Sequence, residues 1–416
     1  MKDPKFAQLY EMAKKELLED ILPFWMEHDV DEENGGFYGV VDRQGNPVAG
    51  GPKCLVLNAR LVWTFASAYR IFKEEKYLVL AKRAYDYFCE YFLDKQYGGA
   101  YFMLDAKGNP IDDTKFVYGQ AFAIYAMSEY CRATGDMEAR DKAVAIMELL
   151  EKHAYDAEHP GYVEKLTRDW VYDRAKQVSN INPDAASTKT MNTHLHMIEA
   201  YTCLLRVLPT EAQKAKVREH LNIMLDKVYD GDIHHFKMFF RDDWTPTATD
   251  ISYGHDIEGT WLLMETAEVL GEKDMLEKAE PRCIDMAAAC LEQAILPDGS
   301  MLYEYDPATR HINTDRSWWV QAETVVGFLN AWQLSGQQRF LDASLECFRY
   351  IDTFLVDHEY GEWFTMLGNN GEVLPNQHSK IDDWKCPYHN GRMCFEVIRR
   401  LTGEGGTEEN EGTAGS

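Results

Sequence analysis

Positive charge is scarce in this chain. Its 43 Lys and Arg stand against 69 Asp and Glu, a formal net charge of −26. So acidic a surface repels phosphate backbones and anionic lipid, which excludes nucleic acid and membrane surfaces as partners and favours a neutral ligand. Paired cysteine is lacking as well. The nine cysteines are scattered, odd in number and without a C-x-x-C, so neither a disulfide framework nor a zinc site is indicated, and a cytoplasmic location is expected. Long apolar runs are missing too: none reaches 18 residues, and the opening MKDPKFAQLY has no apolar signal core.

Apolar and ring-bearing residues are plentiful. Hydrophobic residues make up 45%, enough for a large core, and aromatics 12%, with 10 Trp and 23 Tyr. That points to an aromatic core or to a stacking surface for a ring-shaped ligand.

A turn-and-strand signal recurs, as Gly35-Gly-Phe-Tyr-Gly39, Gly98-Gly-Ala-Tyr-Phe102, Pro160-Gly-Tyr-Val-Glu164, Lys237-Met-Phe-Phe-Arg241, Asp298-Gly-Ser-Met-Leu-Tyr303 and Tyr360-Gly-Glu-Trp-Phe364. Gly36, Gly99, Gly161, Gly299 and Gly361 are spaced by 63, 62, 138 and 62 residues, and the long gap holds the Phe239 copy. These are hairpin signals. Between them the apolar period is helical, near residues 5–22, 55–72, 76–93, 117–134, 137–153, 188–208, 211–229, 253–270, 274–294, 317–334, 337–356 and 388–401. Twelve helices in six pairs, each pair joined by a hairpin, argue for a repeat architecture. The expectation is an all-α fold, an (α/α)6 barrel. Closure is favoured over an open solenoid because neither end reads as a polar capping repeat. Residues 1–402 are expected to form a single catalytic domain and 403–416 a disordered tail, in a monomer.

In such a ring the helices that follow the hairpins lie inside, with their N-termini at one mouth. Each repeat places polar or aromatic groups early in its inner helix. They are Arg60, Tyr118, Asn192 with His196, His255 with Glu258, Trp319 with Glu323, and Trp384, His389 and Arg392. Singly, each has a structural explanation: Arg60 as a solvated cation, Tyr118 as core, Asn192 and His196 as glue between helices. Six coincidences at one repeat position are improbable, so these residues are expected to converge. Met191, His194 and Met197 are read as structural.

Three chemistries remain open for such a set. A divalent ion on the histidines and glutamates lacks a tight ligand pair such as H-E-x-x-H, so no metal is assigned. Inverting glycoside hydrolysis would use Glu258 and Glu323 as its acidic pair but would leave the histidines as binders. A non-catalytic sugar-binding barrel would not need three histidines. Proton shuttling by imidazoles fits three histidines best.

Ser252-Tyr-Gly-His-Asp-Ile-Glu258, Trp318-Trp-Val-Gln-Ala-Glu323 and Trp384-Lys-Cys-Pro-Tyr-His-Asn-Gly-Arg392 resemble the cellobiose 2-epimerases of the N-acylglucosamine 2-epimerase superfamily. Leu57-Asn-Ala-Arg60 and Asn192-Thr-His-Leu-His196 belong to the same likeness, which covers nearly the whole chain. Mannobiose epimerases and mannose isomerases share much of it. The resemblance implies cofactor-free epimerisation at C2 of a reducing-end glucose. Cellobiose would become glucosyl-mannose and lactose epilactose. It also implies an acid/base pair at His255 and His389, with His196 and Glu258 in the catalytic set. Arg60, Tyr118, Asn192, Trp319, Glu323, Trp384 and Arg392 would bind the substrate. Glu258 is expected to orient His255, one turn away, and Glu323 to do the same for another imidazole.

Overall fold

The computed structural model describes residues 4–179, 182–374 and 379–402; the expected tail, 403–416, lies outside them. Among the described residues, twelve helices alternate between two concentric layers. The outer six are α1 (Pro4–Lys15, carried on through a π turn, Glu16–Ile21, into Leu22–His28), α3 (Glu75–Tyr87), α5 (Met137–His153), α7 (Glu211–Ile223), α9 (Lys273–Gln293) and α11 (Gln338–Tyr350). The inner six are α2 (Leu55–Phe72), α4 (Val117–Thr134), α6 (Met191–Val207), α8 (Tyr253–Leu270), α10 (Trp318–Ser335) and α12 (His389–Thr402).

The layers follow from the distribution of apolar side chains. α11 buries Phe340, Leu341, Ser344, Leu345, Cys347 and Phe348, one face of a helix, and leaves the other wet. In α2 every residue from Leu55 to Ala68 is buried, as only a helix surrounded by others permits. Each inner helix packs on the next, and α12 returns to pack on α2. The double ring is therefore closed, an (α/α)6 barrel.

Short strands tie neighbouring repeats together at one mouth. The strand before an inner helix pairs with the hairpin of the following repeat: Lys53–Cys54 with Met103–Leu104, Lys115–Phe116 with Lys165–Leu166, and Lys189–Thr190 with Phe239–Phe240. Ile251–Ser252 with Tyr305 and Glu304, and Arg316–Ser317 with Leu367 and Met366, continue the series. A bridge from Val41 to Ile381 completes the circuit.

Four of the six hairpins open on an aspartate that caps its own turn and binds a buried cation. Asp31 accepts from the Glu33 and Asn34 backbone and pairs with Lys53 at 2.9 Å; Asp94 does the same for Gln96 and Tyr97 and pairs with Lys115 at 3.1 Å. Asp156 pairs with Lys189 at 2.8 Å and Asp357 with Lys380 at 3.0 Å. Lys53, Lys115 and Lys189 each stand two residues before an inner helix begins. The pairs thus fix the hairpins to the helix starts that form the mouth. The repeat glycine is needed in the same turn: Gly36 has φ +64°, and a Cβ there would lie 2.5 Å from the Tyr87 ring.

Candidate active site

The inner-helix N-termini enclose a cavity of about 510 Å³. Arg60 from α2, Tyr118 from α4, Asn192 and His196 from α6, His255 and Glu258 from α8, Trp319 from α10 and His389 from α12 all line it, with Trp384 from the loop before α12. The sequence also proposed Glu323 and Arg392. Both are buried but are absent from the cavity wall, and they form a floor beneath it.

His255 and His389 face one space. Both rings lie against the Trp319 indole, with centroids 4.8 Å and 5.7 Å away. Gly254 makes this approach possible, since a Cβ there would stand 2.5 Å from the Trp319 ring. Each imidazole is held through Nδ1, which leaves Nε2 for a ligand. His389 Nδ1 is 2.6 Å from Glu323 Oε1, and His196 Nδ1 is 2.9 Å from Glu199 Oε2. His255 Nδ1 meets Ser252 Oγ at 2.7 Å. The expected partner of His255, Glu258, instead accepts from Arg392 at 2.5 Å. The reason is direction: Ser252 precedes α8 and its hydroxyl reaches forward three residues, while Glu258 projects toward the axis, where the guanidinium stands.

The family model for N-acylglucosamine 2-epimerase matches residues 36–389. A cellobiose 2-epimerase of Bacteroides fragilis is 42% identical over 390 residues, covering 94% of this chain and 98% of its own. The chain belongs to the N-acylglucosamine 2-epimerase family. The cellobiose 2-epimerase of Dictyoglomus turgidum is 38% identical, over 92% of this chain and 96% of its own. The solved cellobiose 2-epimerase of Bacillus thermoamylovorans superposes with a TM-score of 0.90 at 37% identity, covering 95% of this chain and 100% of that one. Membership makes the protein an enzyme, a carbohydrate epimerase or isomerase. No helix among the described residues is long and apolar enough to cross a membrane.

In this family member the floor of the cavity is a charge cluster. Arg392 donates to Glu199, to Glu258 at 2.5 Å and to Glu323 at 2.7 Å, and its guanidinium stacks 4.7 Å from the Trp261 ring. Trp261 Nε1 donates to Glu323 at 2.9 Å. Three carboxylates share one cation, and their protonation divides accordingly. Burial, and then the Glu323 charge, push Glu258 up to about 8. Burial opposes ionisation of Glu199 and Glu323 too, yet Arg392 and the attached imidazoles hold both below the usual range, Glu199 at about 2. Burial drives His255 and His389 down to about 3, so both are neutral imidazoles in the open site. A neutral imidazole with a free Nε2 is a base.

Glu258, Glu323 and His389 bring donor atoms within 4.8 Å of one another, close enough to enclose a metal ion. Arg392 already supplies a cation to both of these carboxylates, so the trio is accounted for as an ion pair.

Glu199 and Tyr388 were overlooked in the sequence. Glu199 stands three residues after His196, the spacing at which two helix side chains meet. Tyr388 donates to Glu199 and receives Arg392. His194 is structural, its ring held between Thr190 O at 2.7 Å and the Tyr162 N–H at 2.9 Å.

Proposed function

We propose that the protein epimerises C2 of the reducing-end glucose in β-1,4-linked disaccharides, turning cellobiose into glucosyl-mannose and lactose into epilactose, without a cofactor. The observation that carries this reading is that two neutral imidazoles on different inner helices, His255 and His389, line one cavity and flank a single indole. The identity to cellobiose 2-epimerases supports the sugar.

The C2 proton of a closed pyranose is not acidic, so the ring opens first. The anomeric hydroxyl gives up its proton, the C1–O5 bond breaks, and O5 is protonated, leaving an aldehyde. One imidazole Nε2 then takes the C2 proton. The electron pair forms C1=C2, and O1 gains negative charge. Arg60 and Glu258, the latter as an un-ionised acid, donate to that oxygen, and the product is a cis-enediol. The imidazole on the opposite face, which draws a proton from solvent at the mouth, delivers it to C2 as O1–H returns its proton to Glu258 and the carbonyl re-forms; the ring closes, and the first imidazolium gives its proton back to solvent. Nothing is oxidised, reduced or released. Positioned acid/base groups are worth about 10² to 10⁴ each in rate, and a donor to the charged oxygen about 10² to 10³. Trp384 and Trp319 supply faces for the sugar rings, and Asn192 and His196 hold hydroxyls.

Hydrolysis by Glu258 and Glu323 is disfavoured. Inverting enzymes separate their carboxyls by about 6.5–9.5 Å, whereas these two present oxygens within 4.8 Å of each other and on one guanidinium. Sugar chromatography after incubation with cellobiose separates the outcomes. Mannose at the reducing end is expected. Free glucose would mean hydrolysis, an unchanged disaccharide a binding protein, and either result rejects the proposal.

A further inference from the structure

The two-histidine scheme leaves one buried carboxylate of the floor without a task. Glu199 binds His196 Nδ1 at 2.9 Å through Oε2, while its Oε1 accepts from Arg392 and Tyr388 of α12. The other amino group of Arg392 carries Glu323 at 2.7 Å, and Glu323 holds His389 at 2.6 Å. An unbroken line of charge-assisted hydrogen bonds thus runs from His196 through Glu199, Arg392 and Glu323 to His389, with Glu258 as a branch. No member is more than 5% exposed. In so dry a place each bond polarises the next, and a missing charge is felt along the line.

We infer that Glu199 is a positioning residue which, through Arg392, couples His196 on α6 to the His389–Glu323 pair on the far side of the cavity, so that both imidazoles are oriented together. Without the Glu199 charge, Arg392 is left to Glu258 and Glu323 alone. Its stronger hold makes Glu323 a weaker acceptor for His389 and makes Glu258 a stronger acid. The groups that face this line are Tyr118 of α4 and Arg60 of α2 beside the cavity, and Tyr125 of α4 against Tyr388.

The kinetic consequence of the coupling rests on the two-histidine epimerase reading; its spectroscopic consequence does not. Protein labelled with ¹⁵N-histidine is compared as native, Glu199→Gln and Glu199→Asp, with resonances assigned through His196→Asn and His389→Asn. In Glu199→Gln the imidazole resonances of His196 and of His389 both move, and Glu199→Asp restores them in part. The kcat for cellobiose falls on the order of ten- to a hundredfold, the worth of one hydrogen bond to a charged group. KM changes little, and the alkaline fall in activity moves to lower pH. A change confined to His196, with the His389 resonance and the pH profile unmoved, overturns the coupling. Should Glu199→Gln fail to fold, Tyr388→Phe removes a donor from Glu199 and reads the same two resonances. If native protein proves inactive on cellobiose while both resonances still move together, the coupling stands and the epimerase reading falls.

Discussion

At the scale of single residues, the account turns on which groups carry protons. Glu258 works as a donor only while protonated, and burial with Glu323 lifts its carboxyl to about 8. Activity is therefore expected to hold at neutral pH and to fall as pH rises through that region. Glu258→Gln keeps an N–H donor but cannot titrate; its residual kcat/KM should lose the alkaline fall, and an unchanged fall would assign it to another group. Much of this was legible in the chain. The histidines and tryptophans announced themselves by recurring early in each inner helix. The partners of His255 and His196 did not, although the sequence did mark Glu323 as a carboxylate to orient an imidazole other than His255, and it holds His389. Ser252 carried no mark as a hydrogen-bond partner for His255, and Glu199 carried no signal beyond its distance from His196. Partnership depends on the direction of side chains across the barrel axis, which no one-dimensional spacing records.

At the scale of elements, the hairpins with their buried cations decide where the inner helices begin. Asp94 and the Lys115 side chain are both inaccessible to solvent. Asp94→Ala would leave the buried ammonium without its carboxylate, against the Tyr101 and Trp170 faces 5.0 and 5.8 Å from it, and would also free Arg168, which binds the same aspartate at 2.9 Å. The expected loss is about 3 kcal/mol, the lower end for breaking a buried pair, read as a shift in the urea midpoint. A loss below about 1 kcal/mol would show that the pair does not secure the mouth. Gly254→Ala tests the other side of the same junction. Its methyl would displace Trp319, so kcat/KM should drop by an order of magnitude or more while far-UV circular dichroism stays native. Full activity would remove Trp319 from the site. The sequence signalled the glycines of these hairpins but not the aspartate–lysine pairs, because Asp31 and Lys53 lie 22 residues apart and meet only after the hairpin has formed. The π turns inside α1 and at the ends of α3, α7 and α11, such as Phe88–Phe92, were equally hidden. An apolar pattern drifts little over five residues, so one wide turn looks like more helix.

At the scale of the whole molecule, the ring closes because α1 and α12 share a buried seam. Trp363 Nε1 donates to Glu16 at 2.6 Å, and Thr64 of α2 donates to Pro387 O at 3.1 Å. Glu362 accepts from Trp25 of α1 at 3.2 Å and from Asn390 of α12 at 2.5 Å. Six helix pairs without polar capping repeats at either end had indicated closure, though not the residues that make it.

Burial on this scale also sets the pH of greatest stability. Glu16 and Glu258 are lifted to about 8, and Glu164 and Glu304 to about 7, each by burial first. These groups keep protons that the unfolded chain releases, so stability falls as pH rises from about 4.5 through 8. His194, His255 and His389 are pushed to about 3, again by burial first. The unfolded chain takes up protons there below about 6.5, so stability also falls as pH drops toward 3. Urea midpoints should peak between about pH 4.5 and 6.5, where the two trends overlap; a midpoint still climbing at about pH 8.5 would contradict the assignments.

The central claim is that two imidazoles serve opposite faces of one carbon, and exchange in D₂O tests it most directly. Native protein should place deuterium at C2 of both epimers as they interconvert. His255→Ala and His389→Ala should each stop interconversion while still exchanging C2 in one epimer only, a different epimer for each variant. Interconversion near the native rate in either variant, or a native product without deuterium at C2, would contradict the account.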